Sequence, residues 1–337
     1  MTKKNYNMEL IRTASFVMVV IVHVANYYCR AYADIGRGEY VFALILDTVS
    51  RISVPCFFML SGALLLNRNE PLRKNGRRLI HILTALIFWS IIYYFFNTRF
   101  MGTPYNLAEV LETPVEAHLW YLYAIIPIYL VIPFFQVMCR GMNETLDRAL
   151  LAVGLGTTMF LYILSFTERE TYLDVPIIGD RAYMVYFFLG YFIFKYRDEL
   201  KKHFSLLMGI FLGSTALNIG MTLWFTYQTG NHYERFLEYG CPLIMISGAS
   251  FFALLMQIDN GNIHLKGRTR RRIDLWCGCS FGIYLIHIIF LDSYKKYVNP
   301  EQLSAWIAVP GLAVGILVLS LISVYLIRKL PFGKYIS

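Results

Sequence analysis

Charge is scarce in this chain. Only 16% of its 337 residues are Asp, Glu, Lys or Arg, too few to cover the surface of a soluble protein of that length. The six cysteines, Cys29, Cys56, Cys139, Cys241, Cys277 and Cys279, contain no C-x-x-C pair, so their spacing predicts neither a disulfide framework nor a zinc site. A Walker-type phosphate loop, a dinucleotide-binding glycine pattern and an H-E-x-x-H pair are also missing. ATP-driven transport, redox cofactors and metalloprotease chemistry therefore have no support. There is no internal repeat, low-complexity tract or Pro/Gly/Ser linker, which argues for one bundle over residues 1–337 with no appended soluble domain.

What is present is apolar: 57% of the residues are hydrophobic and the mean hydropathy is +0.50. Apolar runs recur from end to end near the length of about 20 residues that a bilayer-spanning helix needs. The fold class expected is an all-α polytopic transmembrane bundle of about ten spans, at 9–28, 42–66, 79–97, 119–138, 146–166, 182–196, 204–227, 241–258, 277–293 and 305–327. The first run carries Arg12 inside it, follows Lys3 and Lys4 and lacks a small-residue cleavage site, so it reads as an uncleaved span.

The connections alternate in charge. On one side fall Lys3 and Lys4, the cluster Arg68, Arg73, Lys74, Arg77 and Arg78, Arg140 and Arg148, the 195–202 loop, the basic run 266–272, and the tail with Arg328, Lys329 and Lys334. The positive-inside rule makes that side, and both termini, cytoplasmic. The net charge of +9 is thus mainly a topology signal rather than a nucleic-acid footprint, with some left for anionic lipid or a phosphate-bearing ligand. The opposite loops hold Glu109, Glu112, Glu116, Glu168, Glu170 and Asp174, then Asn231, His232, Tyr233, Glu234 and Glu238. Such groups suit sugar hydroxyls, and equally a solvated rim with an aromatic belt.

Within the first span, Arg12 and His23 are eleven residues apart, which returns them to one helix face about 16 Å apart. Glu9 and Asn26 extend that face. Ionisable groups cost several kcal/mol within a bilayer unless paired or wetted, so the stripe reads as a polar path. Asp47 and Arg51 stand at i and i+4, the spacing of a helical ion pair; a self-neutralised brace explains them as well as a site does. Ser61-Gly62 permits close helix packing. His118-Leu119-Trp120-Tyr121-Leu122-Tyr123 opens the fourth span, where Trp120 and the tyrosines fit an aromatic belt and His118 an acid-base or sugar contact. Ser280, Tyr284 and His287 share a face at i, i+4 and i+7 and are expected to form a hydrogen-bonded column. Arg73, Arg77 and Arg78 can grip pyrophosphate or simply anchor the loop at the cytoplasmic surface.

These blocks, in register over nearly the whole chain, resemble the acyltransferase-3 family of integral membrane acyltransferases. Arg12 to His23 resembles its R-x10-H signature. Ser53-Val54-Pro55-Cys56-Phe57-Phe58-Met59-Leu60-Ser61-Gly62, the His118 block and Ser280-Phe281-Gly282-Ile283-Tyr284-Leu285-Ile286-His287 resemble three further family segments. The run Ser50-Arg51-Ile52-Ser53-Val54-Pro55 is similar to the stand-alone surface-polysaccharide O-acetyltransferases, such as those acting on enterobacterial common antigen. The resemblance implies a multi-pass protein of the bacterial cytoplasmic membrane with no permanently bound cofactor and no metal. Its co-substrate would be cytoplasmic acyl-CoA, foremost acetyl-CoA, and its acceptor a hydroxyl of an envelope polysaccharide or lipid-linked sugar. Arg12, helped by Arg73, Arg77 and Arg78, would hold the donor's phosphates. His23 would act as general base or transient acyl carrier. Arg51, Asp47, His118, Trp120, Ser280, Tyr284, His287 and Asn26 would support it or contact the acceptor. The membrane half of certain serine racemases resembles the same family, so transport of a small polar substrate such as an amino acid is the alternative. A scaffold in an envelope-assembly complex is the third, and homo-oligomerisation stays open.

Overall fold

A computed structural model describes residues 5–167, 171, 182–258 and 267–337. Lys3, Lys4, Glu168, Glu170, Asp174 and Lys266 lie outside the described residues. Among the described residues the chain is helical and carries no strand: α1 Tyr6–Arg30, α2 Arg37–Arg51, α3 Ser53–Leu65, α4 Leu72–Phe95, α5 Trp120–Gly141, α6 Glu144–Ser165, α7 Tyr183–Lys195, α8 Arg197–Leu200, α9 Phe204–Thr229, α10 Pro242–Leu255, α11 Gly267–Lys295 and α12 Ala305–Ile327. Among the described residues nine helical segments are long and apolar enough to cross a membrane, and Tyr183–Lys195 is a shorter apolar helix. The protein is a polytopic helical membrane bundle.

Two of the expected spans differ in detail. Residues 42–66 are not one helix but α2 and α3, broken at Ile52. Pro55 explains the break, because its ring meets the carbonyl four residues back, that of Arg51, and it supplies no N–H. The sixth span is only 13 residues long in α7, or about 20 Å against a hydrocarbon core of about 30 Å.

α1 is central, packed by α2, α3, α11 and α12. α4, α6, α9 and α12 form the periphery and expose Ile87, Ile91, Met159, Ile163, Leu212, Leu217, Val314 and Ile322, the side chains lipid tails accept. α9 is patterned inside out. Ser214, Asn218, Thr222 and Thr226, four residues apart, are buried along its inner face, where Asn218 Nδ2 donates to the Phe236 carbonyl at 2.7 Å. Polar side chains also close helix ends, whose last carbonyls lack intrahelical donors. Gln136 Nε2 donates to Leu65 O at 2.8 Å at the end of α3, and Asn7 Nδ2 to Met256 O at 2.5 Å just past α10.

The closest packing joins α3 to α7. A Cβ placed on Gly62 would stand 1.7 Å from the Phe187 carbonyl oxygen, and one on Gly190 would stand 1.9 Å from that of Met59. Backbone touches backbone in both directions, the small-residue device by which membrane helices gain dispersion contact. Gly62→Val should therefore lower stability by about 3 kcal/mol or more. Gly209→Ala, on a helical site with nothing within 4 Å of the new Cβ, should raise it by about 0.5–1 kcal/mol. Thermal denaturation in detergent compares the two; equal melting temperatures would contradict the contact.

Candidate functional site

Two cavities enter the bundle from opposite ends. At the end that carries the α3–α4 connection and the end of α12, a cavity of about 600 Å³ is lined by Arg12, Arg68, Arg78, Arg328, Lys334 and His81, and deeper by Ser61, Tyr121, Tyr129, Ser280 and Tyr284. Arg78 thus joins the cavity as its sequence suggested, whereas Arg73 and Arg77 are exposed and stand outside its lining. Arg68, Arg328 and Lys334 take their place. Arg12 Nη1 pairs with Glu9 at 3.0 Å.

One anion organises this mouth. Glu70 accepts from Arg68 at 3.1 Å and Lys74 at 2.6 Å and is ion-paired with Arg78 at 2.5 Å. Burial opposes its ionisation, but the hydrogen bonds from Arg78, Lys74 and Arg68 prevail and hold the carboxyl at about 2. Since that value lies below the ordinary 4.5, the clasp is complete above the ordinary range and is lost only as pH falls through about 2.

At the other end, about 470 Å³ is lined by Arg51, Tyr162, Ser165, Tyr183, Glu234, Glu238 and Tyr239, with neighbouring apolar groups. Gly230, at φ 73°, ends α9 and turns the chain into the loop that supplies these carboxylates. Glu234 accepts from Arg30 at 2.8 Å and from Asn26 at 3.4 Å, so the far end of the α1 stripe reaches this cavity's wall. Burial works against Glu234, but Arg30 foremost keeps its carboxyl below the ordinary range. Burial also holds His232 down to about 4 against the pull of Glu234, so its ring is neutral at pH 7.

Three histidines from three helical segments meet inside the bundle. The His23 and His287 ring centroids are 5.2 Å apart, and those of His118 and His287 5.3 Å. His118 and His287 are fully enclosed, while His23 keeps partial exposure. His287 Nδ1 lies 2.7 Å from the Tyr284 carbonyl and His118 Nε2 3.3 Å from that of Leu285. A carbonyl only accepts, so each of these nitrogens carries the proton. The other nitrogens, His287 Nε2 and His118 Nδ1, have no hydrogen-bond partner among the described residues and present lone pairs. Ser280, Tyr284 and His287 do share a face but form no column. Ser280 donates to the Cys277 carbonyl at 2.9 Å and Tyr284 to that of His118, because a backbone carbonyl lies nearer than the next side chain.

Aromatic rings separate the two cavities. Tyr284 meets Tyr121 at 5.7 Å, Tyr121 meets Phe58 at 5.0 Å, and Phe58 stacks on Tyr183 at 5.0 Å. Trp120 bridges Tyr183 and Tyr239 at 5.0 and 5.5 Å, so it belongs to this partition rather than to a surface belt. The pattern Gly278-Cys279-Ser280-Phe281-Gly282 matches G-x-S-x-G. It lies in the middle of α11, not at the strand-to-helix turn that exposes a hydrolase nucleophile.

The Asp47–Arg51 pair is real and deep. Asp47 is fully buried, and Arg51 Nη2 lies 3.1 Å from its Oδ2. Removing one partner leaves a buried charge without its counter-ion, so Asp47→Ala should cost about 3–5 kcal/mol, whereas the double change Asp47→Leu with Arg51→Met should recover most of it. Detergent melting curves test this; a single and a double variant of equal stability would refute it.

A family model described as an acyltransferase domain matches residues 5–328. An amino-acid racemase of Enterococcus faecalis is 24% identical over 316 residues, which cover 86% of this chain and 42% of the racemase. The chain therefore spans less than half the length of that relative. A probable poly-β-1,6-N-acetyl-D-glucosamine export protein of Staphylococcus epidermidis is 22% identical over 317 residues, 88% of this chain and 84% of the other. One of Staphylococcus aureus (strain N315) is 19% identical over 308 residues, 88% and 85% respectively. No solved structure matches. With the model covering nearly the whole chain, this protein belongs to the acyltransferase-3 family of integral membrane acyltransferases.

Proposed function

We propose that the protein moves an acyl group, acetyl foremost, from cytoplasmic acyl-CoA to a hydroxyl of an envelope glycan or lipid-linked sugar. The observation that carries this reading is the meeting of three histidine rings inside a bundle that a cationic cavity enters at one end and a cavity of carboxylates and tyrosines at the other. Arg12, Arg78, Arg68 and Arg328 offer bidentate donors to the phosphates of the donor. The thioester then follows the α1 stripe towards His23, about 16 Å along the helix. Relatives named for an N-acetylglucosamine polymer favour a sugar acceptor entering at the opposite end, against Tyr183, Tyr239 and Glu234.

His23, the accessible member of the cluster, takes the proton of the acceptor hydroxyl. The oxygen attacks the thioester carbonyl, the C–S bond breaks, and the proton passes from the imidazolium to the departing thiolate. His118 and His287 stand beside it, each with one ring N–H directed at a backbone carbonyl.

In proteoliposomes with labelled acetyl-CoA, His23→Ala should lower kcat by about 10² to 10⁴. Full-rate transfer or thioester hydrolysis by that variant would remove His23 from the chemistry. Arg12→Ala should raise the donor Kd more than it lowers kcat, and an unchanged Kd would remove Arg12 from the phosphate site. Glu70→Gln frees Arg78 and Lys74, so acyl-CoA should bind about two- to fivefold more tightly, the worth of one partly exposed ion pair; weaker binding would make the clasp a brace instead.

Export is the second reading, favoured by the relatives' printed names and by cavities that open at opposite ends. Release of free CoA thiol coupled to glycan modification distinguishes them: movement of unmodified glycan with no thiol release would support export alone.

A further inference from the structure

Beside the outer cavity, three groups that bind metals converge from three elements: Cys29 in the last turn of α1, Asp47 on α2 and His232 in the loop after α9. One ligand atom from each lies within 4.8 Å of the other two, and among the described residues no other such group occurs. Cys29 is a buried free thiol. Asp47 is fully buried, and while its Oδ2 serves Arg51, its Oδ1 has no hydrogen-bond partner among the described residues. The His232 side chain is 3% exposed and its Nε2 likewise has no partner. Buried polar atoms left unsatisfied call for a partner.

The surroundings fit a ligating histidine. Tyr40 Oη lies 2.9 Å from His232 Nδ1 and 2.9 Å from Thr226 Oγ1. With the Tyr40 hydroxyl donating to Thr226, its oxygen accepts Nδ1–H of His232, which leaves the Nε2 lone pair for a metal. Ligating histidines carry this kind of second hydrogen bond.

We propose that Cys29, Asp47 and His232 form a zinc site that staples α1 and α2 to the 231–241 loop. A thiolate, an imidazole and a carboxylate together suit zinc and disfavour calcium or magnesium, which take oxygen. On binding, the Cys29 proton leaves to solvent, and bonds form from Sγ, Nε2 and Oδ1. The thiolate and carboxylate neutralise the dication while Arg51 keeps the other carboxylate oxygen. Zinc bonds of about 2.0–2.3 Å set tetrahedral ligand atoms ~3.5 Å apart, so atoms already within 4.8 Å of one another need only a small closure. Water takes the fourth position, or Glu234, whose Oε1 is 3.9 Å from His232 Nε2 and already balances Arg30. Because the stapled loop carries Glu234, Glu238 and Tyr239, the ion fixes the wall of the outer cavity, whatever passes through it.

The full chain, purified in detergent and stripped with EDTA, is titrated with zinc chloride and separately with cobalt(II). One zinc per chain, and a cobalt spectrum with a thiolate charge-transfer band, are expected. Cys29→Ser should abolish that band, and Cys29→Ser and His232→Gln should each weaken zinc binding by at least about tenfold. Cys139→Ser, a buried thiol on α5, should change neither. Absence of stoichiometric zinc from the wild type, a cobalt spectrum without the band, or unaltered affinity in Cys29→Ser overturns the site. Should the variants fail to fold, alkylation of the wild type decides: zinc should protect Cys29 selectively, and equal labelling with and without zinc overturns it. None of these readouts depends on acyl transfer.

Discussion

A carboxylate or guanidinium within the thickness of a bilayer has to find its counter-charge on a neighbouring turn or helix, because lipid tails supply neither water nor hydrogen bonds. That requirement shapes this bundle more than any single apolar contact. It draws Arg51 onto Asp47, turns the hydroxyl and amide face of α9 inward, and directs the side chains of Asn7 and Gln136 to the open carbonyls at helix ends. Apolar helices then need only surround what has already been paired, and α4, α6, α9 and α12 present their aliphatic faces to lipid.

The two ends of the bundle differ in what they attract. One mouth is a ring of arginine and lysine around the cavity of Arg12, with Glu70 as an internal anion occupying part of it. The other is lined by carboxylates and phenols. A ligand with several negative charges and a ligand with many hydroxyls would sort themselves to opposite sides by electrostatics alone, and on the proposed reading donor and acceptor are such a pair. His118 and His287 keep their tautomers through backbone carbonyls rather than carboxylates, which leaves the other ring nitrogen of each with its lone pair.

Much of this was legible in the sequence. Hydropathy located the spans, and the eleven-residue interval placed Arg12 and His23 on one face of α1. Asp47 and Arg51 pair at the spacing that indicated it. The break at Ile52 was also written there, in Pro55, but a long apolar run outweighed a single proline. What could not be read was convergence. His23, His118 and His287 stood in separate blocks, and nothing along the chain says that their rings meet. Glu70 was lost among basic neighbours whose charge already had a topological explanation, and the spacing of Cys29, Asp47 and His232, scattered over some two hundred positions, matches no metal pattern. The column expected from Ser280, Tyr284 and His287 failed for a related reason, since face-sharing fixes direction but not which acceptor is nearest.

Two water-filled cavities that entered one bundle from opposite ends and met would short-circuit the ion gradient across the membrane, which is worth about 2.3 kcal/mol per charge for each 100 mV. The rings of Tyr284, Tyr121, Phe58 and Tyr183 stand where they would meet, and the Tyr284 hydroxyl is tied to a carbonyl rather than left to relay a proton. The partition therefore serves as electrical insulation. Its residues answer to the cell's energy supply as well as to any substrate, and a smaller side chain there would be penalised through leakage before any change in turnover was felt.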